Sequence, residues 1–280
     1  MPGTLFVVAT PIGNLEDMTH RAVRVLAEAG VIAAEDTRRT AILLRRYGIS
    51  TPTTSFHEHN EREKLPRLVD RLHSGESVAI VSDAGTPGLS DPGYRLVRAA
   101  LDRQIRVEAI PGPSAILSSL VVSGLPTHRF VFEGFAPPRA EARRAWLQTL
   151  AREARTSVFF EAPHRVRATL AAALEIIGDR EVAVVRELSK IHEEVVRGPI
   201  SSVLDRLSAP RGEITIVLAP WSGEDVPERQ PTDRDIFEAF GQMTESAGLG
   251  RRQILAALAG RFRMPVNAVY AAIERAKKSV

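Results

Sequence analysis

Short apolar and β-branched runs recur along this chain with helix-periodic segments between them, and that alternation restricts the fold more than any other feature of the sequence. LFVVAT, VIAAE, VAIVSD, RVEAIPG, FVFEGF, SVFFEA, EVAVVRE, EEVVRG and EITIVLA read as strands. Residues 20–29, 37–47, 61–73, 93–103, 114–123, 140–153, 164–177 and 200–207 carry helical spacing. Strands and helices in alternation predict an α/β protein with mostly parallel or mixed sheets. A chain of 280 residues has room for two such domains, since one takes roughly 100–200 residues. The expected division is an N-terminal α/β domain over 1–123 and a second over 124–220. A proline-rich, acidic stretch, APWSGEDVPERQPT, breaks the periodicity, so a linker is expected over 221–232. A small basic helical module is expected over 233–280, with two short helices on either side of Gly260 to Pro265 in a helix-turn-helix-like pair.

Three helices are expected to begin at Xaa-Pro steps. Asp91-Pro92 offers a carboxylate cap before a proline at the first helical position, and Gly112-Pro113 and Ala162-Pro163 offer the same step without a capping side chain. There are no cysteines, so disulfides and thiolate metal sites are excluded and a reducing, cytoplasmic setting is expected. No basic leader precedes LFVVAT, and no apolar run approaches the ~20 residues of a membrane span, which points to a soluble protein. The basic side chains are 33 arginines and 4 lysines. Seven of them lie between Arg251 and Val280 beside one acid, Glu274, whereas the preceding 250 residues hold 30 basic and 33 acidic side chains. A basic terminal module on a mildly acidic body suits a phosphate-bearing partner, with Arg251 and Arg252 as its first candidates; a solvated helical face is the alternative.

The unusual residues lie where strands give way to helices, in ATPIGNLED, SDAGTPGLSDPG, IPGPSA and RELSK. Ligands of open α/β sheets bind outside the carboxyl ends of strands. None of the four loops is a G-x-G-x-x-G fingerprint or a P-loop, so the usual dinucleotide and nucleoside-triphosphate routes are not indicated. Gly85, Gly88 and Gly112 leave backbone donors and acceptors bare. Asp83 offers a carboxylate to hydroxyls or an amino group, as a ligand with a base, a ribose and an amino-acid end would require. Plain turn chemistry is the competing account of the same glycines.

Taken in chain order, ATPIGNLEDMTHRA, AAEDTRRT, SFHEHNE, SDAGTPGLSDPG, IPGPSA, FFEAPHR and RELSK resemble the tetrapyrrole methylase superfamily. Within it they resemble the ribosomal RNA small subunit methyltransferase I group, which carries a similar basic helical tail. The likeness extends from Leu5 to about Pro220. It implies two α/β domains with S-adenosylmethionine in the cleft between them, a homodimer, and methylation of the ribose 2′-hydroxyl of a cytidine in the decoding region of small-subunit (16S) ribosomal RNA. It also implies a cofactor site bordered by Asp83, Ala84, Gly85, Thr86, Ser114 and Ala115, with Phe160, Leu188 and Glu213 at less distinctive strand ends.

Other polar clusters have two readings each. Asp36 and Arg38, with Glu35 and Arg39, follow a strand and suit RNA phosphate or ribose, or else Asp36 simply caps a helix. His57 and Asn60 in SFHEHNE suit a substrate cleft. The two histidines there are two residues apart with no third ligand in view, so no metal is expected. Glu187 and Lys190 are candidates to take a proton from the attacking hydroxyl; a structural ion pair is the alternative. Two further functions stay open at this point. A methylase of the same superfamily acting on a tetrapyrrole or other small molecule would share the loops, and a non-enzymatic nucleic-acid binder would explain the tail.

Overall fold

The computed structural model describes residues 2–207, 212–223, 233–246, 250–262 and 264–278. In it β2 (Val31–Ala34) and β4 (Val78–Val81) are buried at every position. A strand with no polar face needs cover on both sides, which a parallel sheet with flanking helices supplies. These two strands join β1 (Thr4–Val8), β3 (Thr53–Ser55) and β5 (Arg106–Ile110) in a sheet of order β3-β2-β4-β1-β5, with all neighbours parallel. Alternate residues serve opposite cores. Ile32, Ala34, Ala79 and Val81 pack with α1 (His20–Glu28) and α2 (Thr37–Arg46), whereas Val31, Ala33, Val78 and Ile80 pack with α3 (Glu61–His73) and α4 (Tyr94–Asp102).

A second, mixed sheet has the order β6-β7-β10-β8-β9. It is built from β6 (Phe130–Phe135), β7 (Thr156–Glu161), β8 (Glu181–Arg186), β9 (Glu194–Pro199) and β10 (Ile214–Leu218). Only β6 and β7 run parallel; β10 is antiparallel to both β7 and β8, and β9 to β8. Phe159, Val184 and Ile216 face a core shared with α6 (Ala140–Leu150), α7 (Val166–Ile177) and α8 (Ile200–Arg206). On the other face, Val158, Ala183, Val185 and Val217 pack against Ile116 and Leu120 of α5 (Ala115–Ser123). That helix leaves the first sheet directly after β5, so a packed helix ties the two sheets together.

The expected caps are displaced along the chain. At α4 the N-cap is Gly93, with φ +136° and no side-chain cap bond, so Asp91 does not cap. A Cβ at Gly93 would lie 3.0 Å from Ile80 Cδ1, and this close approach reserves the position for glycine. Ser114 caps α5 by accepting from the Leu117 amide at 3.4 Å, one residue beyond Pro113. Arg165 precedes α7, three residues beyond Ala162. The three-residue strand β3 falls in a stretch where no strand is predicted, because a run of Thr-Thr-Ser carries no apolar signal.

By internal contacts the chain divides into two units, residues 1–226 and 227–280. The second contains α9 (Asp233–Ser246), α10 (Arg251–Arg261) and α11 (Val266–Lys278), closed around Ile236, Leu258, Val269 and Ile273. Among the described residues no helix is long and apolar enough to cross a membrane.

Candidate active site

The loops leaving β1, β2, β4 and β5 all emerge at the carboxyl edge of the parallel sheet. There the crossovers part to either side of the central strands and leave a crevice. Ile12, Glu35, Asp83 to Thr86, Asp91 and Ser114 to Ile116 line this crevice from below. The second sheet closes it from above with Phe135, Phe160 to Pro163 and Gly212 to Thr215, and the enclosed cleft measures about 400 Å³. Thr10 and Gly85 exchange backbone hydrogen bonds at 2.9 and 3.0 Å, which fastens the loop after β1 to the loop after β4. Gly85 does so at φ +80°. Ser90, also on the wall, takes φ +64°, an uncommon conformation for a residue with a side chain.

Carboxylates dominate the polar lining. The Asp83 amide donates to Glu35 Oε2 at 3.2 Å, and the Asp83 carboxylate accepts from the Asp36 amide at 3.0 Å and from Arg39 Nη1 at 3.1 Å. Burial raises Glu35 above the usual carboxylate range. Burial, reinforced by the charges of Glu35, Asp83 and Glu213, pushes Asp91 up to about 6, against the opposing effect of a hydrogen bond with Ser82. The facing wall carries the largest apolar surface: the Phe135 and Phe160 rings lie tilted at 56° with centroids 5.2 Å apart, near Ile214, with Ile116 and Leu89 across the cleft. The first-turn amides of α5, at Ala115 and Ile116, have no acceptor within their own helix and suit an anionic group. The cleft thus fits a ligand with a flat apolar ring, hydroxyls and a cationic centre for the carboxylates, and a carboxylate for the helix terminus.

Of the residues the sequence nominates for the cofactor, Asp83, Ala84, Gly85, Thr86, Ser114, Ala115, Phe160 and Glu213 line this cleft. Leu188 lies with Glu187 and Lys190 in an adjoining recess of about 20 Å³ that shares Ile12, Ala115, Glu213 and Thr215 with the cleft. Lys190 Nζ is 3.0 Å from Glu187 Oε1, so the two proton-acceptor candidates are paired with each other. A Cβ on Gly13 would lie 2.5 Å from the Leu188 carbonyl oxygen and 2.6 Å from Lys190 Cγ. Next to this contact the Ser189 hydroxyl donates to the Asp17 carboxylate. The RELSK loop is therefore locked onto the PIGNLED loop.

The substrate candidates scatter. Asp36 caps α2 through the Arg38 amide at 2.8 Å, and the Arg38 guanidinium holds its carboxyl well below the ordinary range. Neither residue lines the cleft; their neighbours Glu35 and Arg39 do. His57 lines a second recess, of about 540 Å³. Asn60 braces the loop beneath it, accepting from the His57 amide at 2.9 Å and donating to Ser55 Oγ at 3.0 Å. Arg251 and Arg252 are exposed on the helical unit. The Glu161 of FFEAPHR is buried, and it accepts from the Ala162 amide at 2.7 Å and from Arg165 Nε at 2.8 Å, which makes that motif a brace at the start of α7. Asp91 is the residue that the sequence reading misassigned, since an Asp-Pro step looks like a cap. No local signal marks Gly93 as the start instead, because its close approach is to Ile80 in another element.

A family model for tetrapyrrole (corrin/porphyrin) methylases matches residues 4–204. The chain belongs to this family. Among proteins similar to this methylase, the ribosomal RNA small subunit methyltransferase I of Thermotoga maritima is 49% identical over 219 residues, 78% of this chain and 98% of that protein. Its namesake from Synechocystis is 43% identical over 272 residues, 96% of each chain. Among solved structures, a uroporphyrin-III C-methyltransferase from Thermus thermophilus complexed with S-adenyl homocysteine superposes with a TM-score of 0.53 at 23% identity, covering 78% of this chain and 97% of that one. A cobalt precorrin-4 methyltransferase gives 0.59 at 17% identity, covering 77% and 94%. At such identities the likeness is one of fold. A relative covered to 98% by 219 matched residues has no length for both the α/β unit and a helical unit of this size, whereas the Synechocystis protein matches nearly throughout.

Proposed function

We propose that this chain is an S-adenosylmethionine-dependent ribosomal RNA methyltransferase acting on the small subunit, and that its product is a ribose 2′-O-methylated cytidine. The observation that carries the reading is the 43% identity to a small subunit methyltransferase I over 96% of both chains, helical unit included. The cleft supports it, since its chemistry fits the parts of that cofactor one by one. Asp83 and Glu213 would take the amino group and ribose hydroxyls, the Phe135–Phe160 wall the adenine, and the first turn of α5 the carboxylate. When bound, the cofactor supplies a methyl group already activated on a sulfonium. The protein must then hold the acceptor oxygen in line with that methyl and remove the proton of a hydroxyl that is a poor nucleophile at neutral pH. The chain would act in the cytoplasm, where ribosomes are, and as a homodimer, which sedimentation analysis reads directly.

Labelled methyl transfer to small ribosomal subunits, naked rRNA and uroporphyrinogen, run in parallel, tests the proposal. Label in RNA is expected. Label in the tetrapyrrole alone would make the chain a small-molecule methylase, and no transfer would leave it a binding protein. Nuclease digestion and mass spectrometry of the product then separate a ribose methyl from a base methyl.

A further inference from the structure

Glu35, Ser90 and Asp91 form a wall with a chamber on each side. One side is the cleft described above; the other is the recess of about 540 Å³ bounded by His57, His59 and Tyr94. If the methyl donor fills the first chamber, as the proposed function holds, the second is left for the acceptor, and its volume lies within the range of small-ligand sites. Its lining suits a nucleoside. Tyr94 is 72% exposed and offers a ring on which a base can stack. His57 Nδ1 is buried with no hydrogen-bond partner, and a buried polar atom of this kind is normally satisfied. Glu61, buried and 3.6 Å from Arg95, anchors the floor. Ser90, in its left-handed conformation, marks the wall as a strained segment of the kind found at functional sites.

We propose that the acceptor nucleotide of the RNA seats in the His57–Tyr94 recess and that Asp91, on the wall common to both chambers, accepts the proton of its ribose hydroxyl. A group on that wall borders both chambers and so stands where the methyl donor and the acceptor hydroxyl would meet. Of its two carboxylates, Glu35 is tied to the cofactor loop through the Asp83 amide, whereas Asp91, which has a hydrogen bond with Ser82, belongs to the segment Ser90 to Arg95 that lines the acceptor recess. The Glu187–Lys190 pair lines a recess of about 20 Å³, too small for a nucleoside. In the step, the hydroxyl oxygen bonds the methyl carbon, the methyl–sulfur electron pair leaves with sulfur, and the O–H proton passes to the Asp91 carboxylate. One positive and one negative charge disappear together. The titratable and charged groups around Asp91 are Glu35, Asp83 and Glu213 on the donor side and His57, Glu58, His59, Glu61 and Arg95 on the acceptor side. Together with burial, the three carboxylates hold Asp91 near 6, close to working pH, where a general base is most effective.

Single-turnover methylation of small subunits at saturating labelled donor tests this. Asp91→Asn is expected to slow transfer by about 100-fold or more, with donor affinity by calorimetry within about threefold of wild type. The wild-type rate should fall as pH drops through about 6, and Asp91→Asn should lack that limb. Tyr94→Ala should raise the RNA concentration for half-saturation and leave the maximal rate nearly unchanged. An Asp91→Asn rate within about threefold of wild type, or a wild-type rate flat across that pH range, overturns the role of Asp91. Unchanged RNA saturation in Tyr94→Ala overturns the seat. A wild-type protein that methylates no RNA instead refutes the functional reading itself, so the two failures are distinct.

Discussion

Thr10 and Gly85 pair as an isolated antiparallel bridge, each donating its amide to the other's carbonyl, and Gly85 does so at φ +80°. The loop glycine therefore has a conformational task in addition to keeping the cleft bare. Any L-residue there takes a left-handed conformation costing about 1–2 kcal/mol. Gly85→Ala is expected to lower stability by roughly that amount in urea titrations, so lost cofactor binding in such a variant would not by itself locate the cofactor. Ala115 is the better probe. It lies in the first turn of α5, half-buried, on the walls of both the cleft and the small recess. Ala115→Phe should reduce S-adenosylmethionine affinity by more than about tenfold, or ~1.4 kcal/mol, at an unchanged melting temperature. Equal affinity in calorimetry would place the cofactor elsewhere.

Asp91 gives a second prediction, in which stability and activity move in opposite directions. An unfolded aspartate titrates near 3.9, whereas the folded one is raised to about 6. Between these values the folded chain keeps a proton that the unfolded chain has released. The stability contributed by protonated Asp91 is thus fully present below about pH 4 and lost as pH rises through about 6. Asp91→Asn never carries the charge, so it should be more stable than wild type at pH 7 and equal to it at pH 4. About 1 kcal/mol is expected at pH 7 once solvent screening of a partly exposed carboxylate is allowed for. A variant that is more stable but slower is the signature of a residue kept for function. Equal denaturation midpoints at pH 7 would contradict it.

The α/β alternation was legible because burial on both faces forces unbroken apolar runs such as VIAA and VAIV, and because amphipathic helices keep their period. β3 was not legible, since three hydroxyl residues pairing beside β2 carry no hydrophobic pattern. The cleft loops could be read from local composition, and Asp83 and Ser114 stand on its wall. What could not be read was direction. Glu35 and Arg39 face the cleft while Asp36 and Arg38 close on each other, because the start of α2 fixes which side chain turns inward. Asp91 was mistaken for a cap because the choice of Gly93 depends on its contact with Ile80, 13 residues upstream and in a different element.

The contact of Gly13 with the 188–190 loop carries a third prediction. A methyl at Gly13 would meet the Leu188 carbonyl at 2.5 Å, a backbone atom that cannot rotate away. Gly13→Ala should therefore destabilise the α/β unit by about 1–3 kcal/mol, as overpacking does, and should slow methyl transfer by shifting the wall of the small recess. Lys190→Ala removes a side chain whose ammonium is held by Glu187, so its single-turnover rate should stay within about threefold of wild type. A much larger loss at saturating cofactor would return Lys190 to the chemistry and remove Asp91 from it.

The helical unit supplies the last prediction, and its charges are not all equally available. Arg251 is 3.1 Å from Glu274 and lies over the Tyr270 ring at 5.5 Å, and Arg275 is held by both Asp233 oxygens at 2.7 and 2.8 Å. These side chains brace α9, α10 and α11 against one another, whereas Arg252 is exposed. If the unit docks the ribosomal substrate through phosphates, removing one contact should flatten the dependence of log affinity on log salt by about 0.7–0.9. Arg252→Ala is expected to show that change at an unaltered melting temperature. Arg251→Ala should also lower the melting temperature, because it loses the stacking contact as well as the charge. Truncation before residue 227 should leave cofactor affinity intact, consistent with a Thermotoga relative that matches over 219 residues. RNA affinity should then fall and its salt dependence become shallower, since phosphate contacts position a protein without reading sequence. Binding curves at two salt concentrations, read beside the melting temperatures, decide between the accounts. Equal affinity and equal slope after truncation would mean that the basic helices pack and solvate without touching RNA.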